Sequence, residues 1–175
     1  GTKDYGIAFA PDEPSSLVLY TNSDYGGCLD GRKLTSGYSS KFGHRSISLP
    51  SKLQDFTATS TTAAEYVAAS DAPREALWLG RLEVTFRQSY PTGTPVVFSD
   101  SQGVVALACN PVHHNALKHI EVRYHFVREF VTRRKLILEK VSTVENVADA
   151  ITKSLPADLF RSLKELMGVE RTTEQ

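Results

Sequence analysis

Cysteine is scarce in this chain of 175 residues: only Cys28 and Cys109 occur, with no Cys-x-x-Cys spacing and no accompanying His series. A disulfide-dense scaffold is thereby excluded, and a zinc site has no ligand pattern behind it. Two reduced thiols in an intracellular protein are the plain expectation, with a single disulfide between them left open. Glycine (11) and proline (8) are too few for a collagen-like or linker-rich chain. No apolar run approaches the roughly 20 residues that cross a bilayer, and the first residues lack the basic, apolar and small-residue succession of a secretion signal. No membrane partner is expected. An excess of one charge is missing too: 20 Lys and Arg balance 20 Asp and Glu, so a nucleic-acid surface would need local clustering of basic residues. Internal repeats and low-complexity tracts are also absent.

What the chain does have is 41% hydrophobic and 23% charged residues, the makeup of a globular domain with one core. The expected domain spans residues 1–168, with 169–175 a frayed tail. LVLYT, from Leu17 to Thr21, predicts a strand that ends in a polar, Gly-containing loop from Asn22 to Gly27. Ser36 to Phe42 and Arg45 to Leu49 predict two further strands, together an antiparallel meander. Thr61 to Arg87 is helix-forming, as two abutting helices or one kinked at Pro73. PVVFS, from Pro95 to Ser99, predicts a buried strand with a helix from Ser101 to Ala108 behind it, an order that favours parallel pairing. A helix over His119 to Thr132, a fifth strand over Leu136 to Val141, and helices near Glu145 to Thr152 and Pro156 to Met167 complete the chain. The fold class is therefore α/β, a five-stranded mixed sheet flanked by helices. Trp78, inside EALWL, is expected in the core.

Acidic residues stand at the ends of these elements. Asp100 closes PVVFS, Glu65 lies early in the long helix, Asp149 follows the fifth strand, and the polar Asn22 closes the first. Hydrolysis of a phosphodiester with two divalent ions needs carboxylates that converge on metals about 4 Å apart, since hard cations take oxygen ligands. Taken singly, each of these residues also suits a helix cap or a solvated surface. From Lys118 to Lys140, seven basic residues face three acidic ones, a net charge of +4 that includes Arg123 and Arg128. That stretch is the strongest electrostatic footprint in the chain, although a solvated helix face would look the same. Ser23, Ser60, Thr61, Thr62, Ser101 and Gln102 lie near the acids in sequence and suit 2′-OH and phosphate contacts, with helix capping as the alternative for Ser60 and Ser101.

The wording around these residues resembles the ribonuclease H domain of copia-type (LTR) retrotransposon polyproteins over nearly the whole chain. The segments that carry the resemblance are YTNSDYGGCLDGRKLTSGY, SKLQ, STTAAEY, EALWLGRL, VVFSDSQGVVALACNP, KHIEVRYHFVRE and VENVADAITKSLP, in that order. It implies a ribonuclease H-like fold that cleaves the RNA strand of an RNA/DNA hybrid, with Mg²⁺, or Mn²⁺ in its place, held by four acidic side chains. Carried over by motif, three of these are Glu65, Asp100 and Asp149. The fourth belongs at position 22, where the family reads Thr, Asp, a small residue, Asp and this chain has Thr21, Asn22, Ser23, Asp24.

An amide offers one neutral carbonyl oxygen and cannot bridge two metals with a full charge, so an inactive or strongly impaired form with weakened metal binding is expected. Asp24 lies about 7 Å further along the strand and does not substitute in place. Two histories lead to Asn22: an introduced Asp→Asn change that traps substrate, or natural loss in a domesticated, noncatalytic scaffold that binds nucleic acid or a protein. Survival of the other three acids supports the first, while Leu49 and Pro50, where the family has Trp and Ser, and Ala63 and Pro73 in the central helix lend equal support to the second. The loop after the fifth strand reads Ser142, Thr143, Val144, without the mobile His of many ribonucleases H, while His119 and His125 suit packing or backbone phosphate. The resemblance implies an RNA/DNA hybrid, the polymerase domain of a parent polyprotein, or, after domestication, a protein as partners. The nucleic-acid contacts expected are Ser23, Ser101, Gln102, Lys118, Arg123 and Arg128, in an intracellular setting such as a cytoplasmic particle or the nucleus.

Overall fold

The computed structural model describes residues 4–9, 16–24, 34–54, 60–87, 93–109 and 121–171. Strands β1 (Tyr5–Ile7), β2 (Leu17–Asp24), β3 (Thr35–Phe42), β4 (Arg45–Ser48) and β5 (Ser51–Leu53) precede the long helix α1 (Thr61–Arg87). Then come β6 (Val96–Ser99), α2 (Gln102–Cys109), α3 (Glu121–Thr132), β7 (Ile137–Lys140), a 3-10 turn at Thr143–Glu145, α4 (Asp149–Thr152), α5 (Ala157–Leu166) and β8 (Val169–Arg171). The main sheet runs β4-β3-β2-β6-β7, with β5 also paired to β3. Pairing is antiparallel from β2 through β3 to β4 and parallel from β2 through β6 to β7. The expected five positions are thus present. The sixth strand arises because Leu49 and Pro50 break the edge strand, whose two halves both pair with β3.

Two corrections concern strand ends. β2 continues through Asn22, Ser23 and Asp24, which pair with Gly37, Ser36 and Thr35, so the loop expected from Asn22 does not begin there. Cross-strand pairing overrides the weak strand propensity of Asn, Ser and Asp. Val169–Arg171, expected to fray, instead pair antiparallel with Tyr5–Ile7 as a second, two-stranded sheet; residues 172–175 lie outside the described residues.

Helices cover both faces of the main sheet. Leu19 joins Ala63, Ala64, Tyr66, Val67, Val97, Val104, Tyr124, Val127 and Leu138 in one apolar cluster, whereas its neighbour Tyr20 packs with Val147, Leu163 and Met167 on the other side. This period-two alternation is what places α1, α2 and α3 on one face and α4 and α5 on the other. α1 is one continuous helix despite Pro73, which removes a donor to the Ala69 carbonyl. Near-complete enclosure from Ala63 to Pro73 holds it together. Trp78 is not in the core: it is 57% exposed, because Ala76 and Leu79 take the inward phase of the helix, at 3% and 8%. Cys109 is a free, exposed thiol, and Cys28 lies outside the described residues.

The interior strand β3, TSGYSSKF, is rich in small polar residues, and this lets the helices approach closely. A Cβ on Gly37 would meet Thr152 Cγ2 at 2.8 Å and the Ile151 side chain at 3.1 Å, so α4 sits where it does because position 37 has no side chain. Gly37→Ala is expected to lower stability by about 1–3 kcal/mol through overpacking. Gly80→Ala, whose Cβ meets nothing within 4 Å among the described residues, should instead raise it by about 0.5–1 kcal/mol through helix propensity. Paired thermal melts of the two variants check the contrast; equal shifts would remove the packing argument.

Candidate active site

β6 stops pairing with β2 at Thr21, opposite Ser99, so Asn22, Ser23 and Asp24 run on beyond the parallel edge. The backbone N–H of Ser23 is left without a β6 partner and donates instead to Glu65 Oε2 at 3.1 Å. That bond brings a carboxylate from the second turn of α1 to the C-terminal ends of β2 and β6, where ligands bind in open α/β sheets. Burial pushes the Glu65 carboxyl up to about 8, and the Asp100 charge adds to it. The Ser23 N–H opposes the rise, Asp149 adds to it and Lys153 counters it.

Asp100 follows β6 directly, and its Oδ1 accepts from Asn146 Nδ2 at 3.2 Å. Asn146 is fully buried. Its Nδ2 also donates to the Thr21 carbonyl at 3.0 Å, and its Oδ1 accepts from the Ala148 N–H at 3.3 Å. One amide thereby fixes Asp100, β2 at the point where it leaves β6, and the start of α4. Asp149, the first residue of α4, has no exposed surface, and neither carboxylate oxygen receives a hydrogen bond among the described residues. Lys153 Nζ lies 2.7 Å from its Oδ2 and forms an ion pair with it. Burial raises the Asp149 carboxyl, Lys153 lowers it, and Asp100 and Asp24 raise it again. Three of the four residues expected at the site therefore feel one another's charge.

Asn22 is 2% exposed and donates from Nδ2 to Thr152 Oγ1 at 2.7 Å; Thr152 in turn donates to the Ala148 carbonyl at 3.0 Å. The amide at position 22 is thus built into α4. Asn146, Thr152 and Gln54 were missed as site residues. Gln54 donates from Nε2 to the Ser36 hydroxyl and to the Ala64 carbonyl at 3.1 Å, which ties β3 to α1. The signal was present, since Gln54 ends SKLQ while Asn146 and Thr152 lie in VENVADAITK, but buried amides carry no ionisable chemistry to draw attention.

Carboxylate oxygens gathered around a buried Asp149 suit a hard divalent cation, with Lys153 as the cation that now faces it. Among the described residues, however, no three Asp, Glu, His or Cys side chains stand close enough together to cage one. The fit is therefore one of donor type only: the carboxylates of Glu65, Asp100 and Asp149 suit a hard divalent cation.

Of the expected nucleic-acid contacts, Ser101 and Gln102 open α2 beside Asp100. Ser101 Oγ accepts from the Val104 N–H at 3.4 Å, and Ser60 Oγ likewise caps α1 through the Ala63 N–H at 3.1 Å. Ser23 is buried, with its hydroxyl 3.5 Å from Gln54 Nε2. Arg123 and Arg128 lie half-buried on α3, with Nη1 atoms 3.4 Å from Ser70 Oγ and 3.5 Å from Tyr124 Oη. His125 is exposed on the same helix and meets Tyr124 edge-on. Lys118 and His119 lie outside the described residues.

Solved structures share this architecture. An N-terminal RNase H domain from Mycobacterium tuberculosis, a fusion with maltose binding protein, matches 87% of this chain and 98% of its own, with a TM-score of 0.57 at 16% identity. LC11-RNase H1, isolated from compost, matches 79% of this chain and 94% of its own, with a TM-score of 0.58 at 15% identity. The chain has the ribonuclease H fold. Its sequence relatives include the retrovirus-related Pol polyprotein from transposon TNT 1-94 of Nicotiana tabacum, 41% identical over 171 residues. That from transposon RE2 of Arabidopsis thaliana is 36% identical over the same length. Each match covers 97% of this chain and 12% of the polyprotein. No model of a known protein family matches. The chain is a ribonuclease H-like domain of copia-type retrotransposon Pol descent.

Asn22→Asp removes the donor to Thr152 and adds a charge to a buried group of acids. In chelator it is expected to cost about 1–3 kcal/mol, a fall of roughly 3–10 °C in Tm for a domain of this size. Millimolar Mg²⁺ should recover part of that fall while moving the parent little. A variant that melts with the parent in chelator would contradict the charge argument.

Proposed function

We propose that this domain binds RNA/DNA hybrid across the ends of β2 and β6 and that Asn22 holds it in a cleavage-impaired state. The observation that carries the proposal is Asn22 itself, whose amide is hydrogen-bonded to Thr152 at 2.7 Å beside Glu65, Asp100 and Asp149. Hybrid as the ligand is supported by the same fold in LC11-RNase H1 in complex with RNA/DNA hybrid and in a foamy viral protease–reverse transcriptase with RNA/DNA hybrid.

Glu65, Asp100 and Asp149 would hold Mg²⁺, which when bound supplies an acidified water and charge neutralisation at the departing 3′ oxygen. The chain's own part is orientation. Ser23 N–H fixes the Glu65 carboxylate, Asn146 fixes that of Asp100, and Lys153 offsets the Asp149 charge until a cation arrives. With Asn at 22 the site lacks one of the four negative charges that would balance two dications.

A second reading, a noncatalytic scaffold, is favoured by one feature. Asn22 donates a hydrogen bond that a carboxylate cannot make, so the amide is accommodated rather than merely tolerated. Cleavage of a labelled RNA/DNA hybrid by the chain beside Asn22→Asp, in Mg²⁺ and in Mn²⁺, separates the two. On the proposed function the variant cuts at least about a hundredfold faster, in keeping with the loss of one transition-state charge contact. If both proteins are folded and bind hybrid yet neither cuts, the scaffold reading replaces it.

A further inference from the structure

Two arginines from different helices meet in one cleft. Arg74 of α1 and Arg123 of α3 line a space of about 240 Å³ together with Ser70, Val122 and Phe126, and no described carboxylate lines it. Both guanidinium groups are held from behind. Arg74 Nη2 donates to Asp71 Oδ1 at 2.6 Å, and the buried Asp71 is also paired with Lys52 at 2.8 Å, which meets its charge from the far side. Arg123 Nη1 lies 3.4 Å from Ser70 Oγ, whose own hydrogen goes to the Val67 carbonyl at 2.6 Å. A guanidinium has five N–H donors, so each bond orients its group and leaves donors for the cleft. Glu75 lines the opposite flank of α1, beside Tyr38. Arg74 lies nine residues beyond Glu65, about 14 Å along the axis at 1.5 Å per residue, so the cleft is separate from the acid site.

We infer that this cleft binds the terminal phosphate of a nucleotide. Three features select that chemistry. The two guanidinium groups supply two positive charges, which a phosphate monoester at about −1.5 to −2 matches more closely than the single charge of a backbone diester. Arginine forks suit bidentate contact with phosphate oxygens, and forks from two helices converge on one anion from two directions. Phe126 and Val122 give the cleft an apolar wall against which a base or sugar packs once its phosphate is held. Val122 is 84% exposed, so that side is open, and the nucleotide is either free or the end of a strand. The inference goes beyond hybrid binding at the acids and does not depend on it.

The test is calorimetric titration of the whole chain in chelator, which keeps metal from bridging a ligand to the acids. The ligands are adenosine 5′-monophosphate against adenosine, and a short RNA with a 5′-phosphate against the same RNA with a 5′-hydroxyl. In at least one pair the phosphorylated member should bind at least about tenfold more tightly, as charged hydrogen bonds lost in the other member require. A preference confined to the mononucleotide assigns a free ligand, and one confined to the RNA assigns a strand end. Arg74→Met and Arg123→Met keep the apolar stems and should each abolish the preference while folded by circular dichroism. Lys135→Met, which removes an exposed cation elsewhere, should leave it. Hybrid with hydroxyl ends should bind both arginine variants as it binds the parent; failure to bind the parent would strike only the proposed function. The inference is overturned by equal binding within both pairs, by a preference that survives in both folded arginine variants, or by one that Lys135→Met reduces as much. It is equally overturned if inorganic phosphate binds as tightly as the preferred ligand, which would leave an anion site without a nucleotide, or if the arginine variants lose the hydroxyl-ended hybrid, which would make the cleft part of the hybrid surface.

Discussion

The hydrogen bond from Asn22 to Thr152 closes the centre of the sheet onto α4, and the rest of the site takes its positions around it. Thr152 can accept that bond only because Gly37 leaves room for its methyl group 2.8 Å from where a Cβ would stand. With Thr152 seated, the first residue of α4, Asp149, is drawn into the interior beside Glu65 and Asp100. Burying carboxylates is unfavourable: burial is the main cause of the raised carboxyls of Glu65 and Asp149, and the Asp100 charge adds to both. A neutral amide at position 22 relieves it, whereas a bound dication would relieve it for a carboxylate. The same geometry thus serves either residue at different electrostatic cost.

Close approach around this centre depends on small side chains from both sides. α1 presents Ala63, Ala64, Ala68, Ala69 and Ala72 within its enclosed half, and β3 presents Ser36, Ser39 and Ser40. Bulkier residues would hold α1 and α4 off the sheet, and Glu65 would then fall short of the Ser23 N–H. Local composition in β3 argues weakly for a strand, yet its place between β2 and β4 follows from pairing on both sides. Tertiary context decides here over propensity.

This explains which parts of the molecule were legible in the sequence. The antiparallel half of the sheet and its parallel half follow from alternation and from the strand-then-helix order around PVVFS. Glu65, Asp100 and Asp149 announced themselves as charged residues at element ends inside distinctive motifs. What was not legible depended on contacts between distant residues. β2 passes through Asn22 because Gly37, Ser36 and Thr35 pair with it, and Val169–Arg171 form a strand because Tyr5–Ile7 lie alongside. Asn146 binds Thr21 and Asp100, 125 and 46 residues away, a relation that no local pattern contains. Trp78 misled for the opposite reason: its residue type argues for burial, and only the helical phase set by Ala76 and Leu79 turns it outward.

The neutrality of the chain conceals a division of labour along α1. Its first half is enclosed on all sides and delivers a carboxylate into a buried acidic site, which makes that end attractive to cations. Its second half is packed on one side only and presents apolar residues flanked by basic ones. Mutual charge repulsion at the first end and solvent-exposed apolar surface at the second are both unfavourable in the isolated domain. The two surfaces are set apart along one continuous helix. A sequence whose net charge is zero can in this way hold two unlike interaction surfaces, because charge is segregated in space and not in composition.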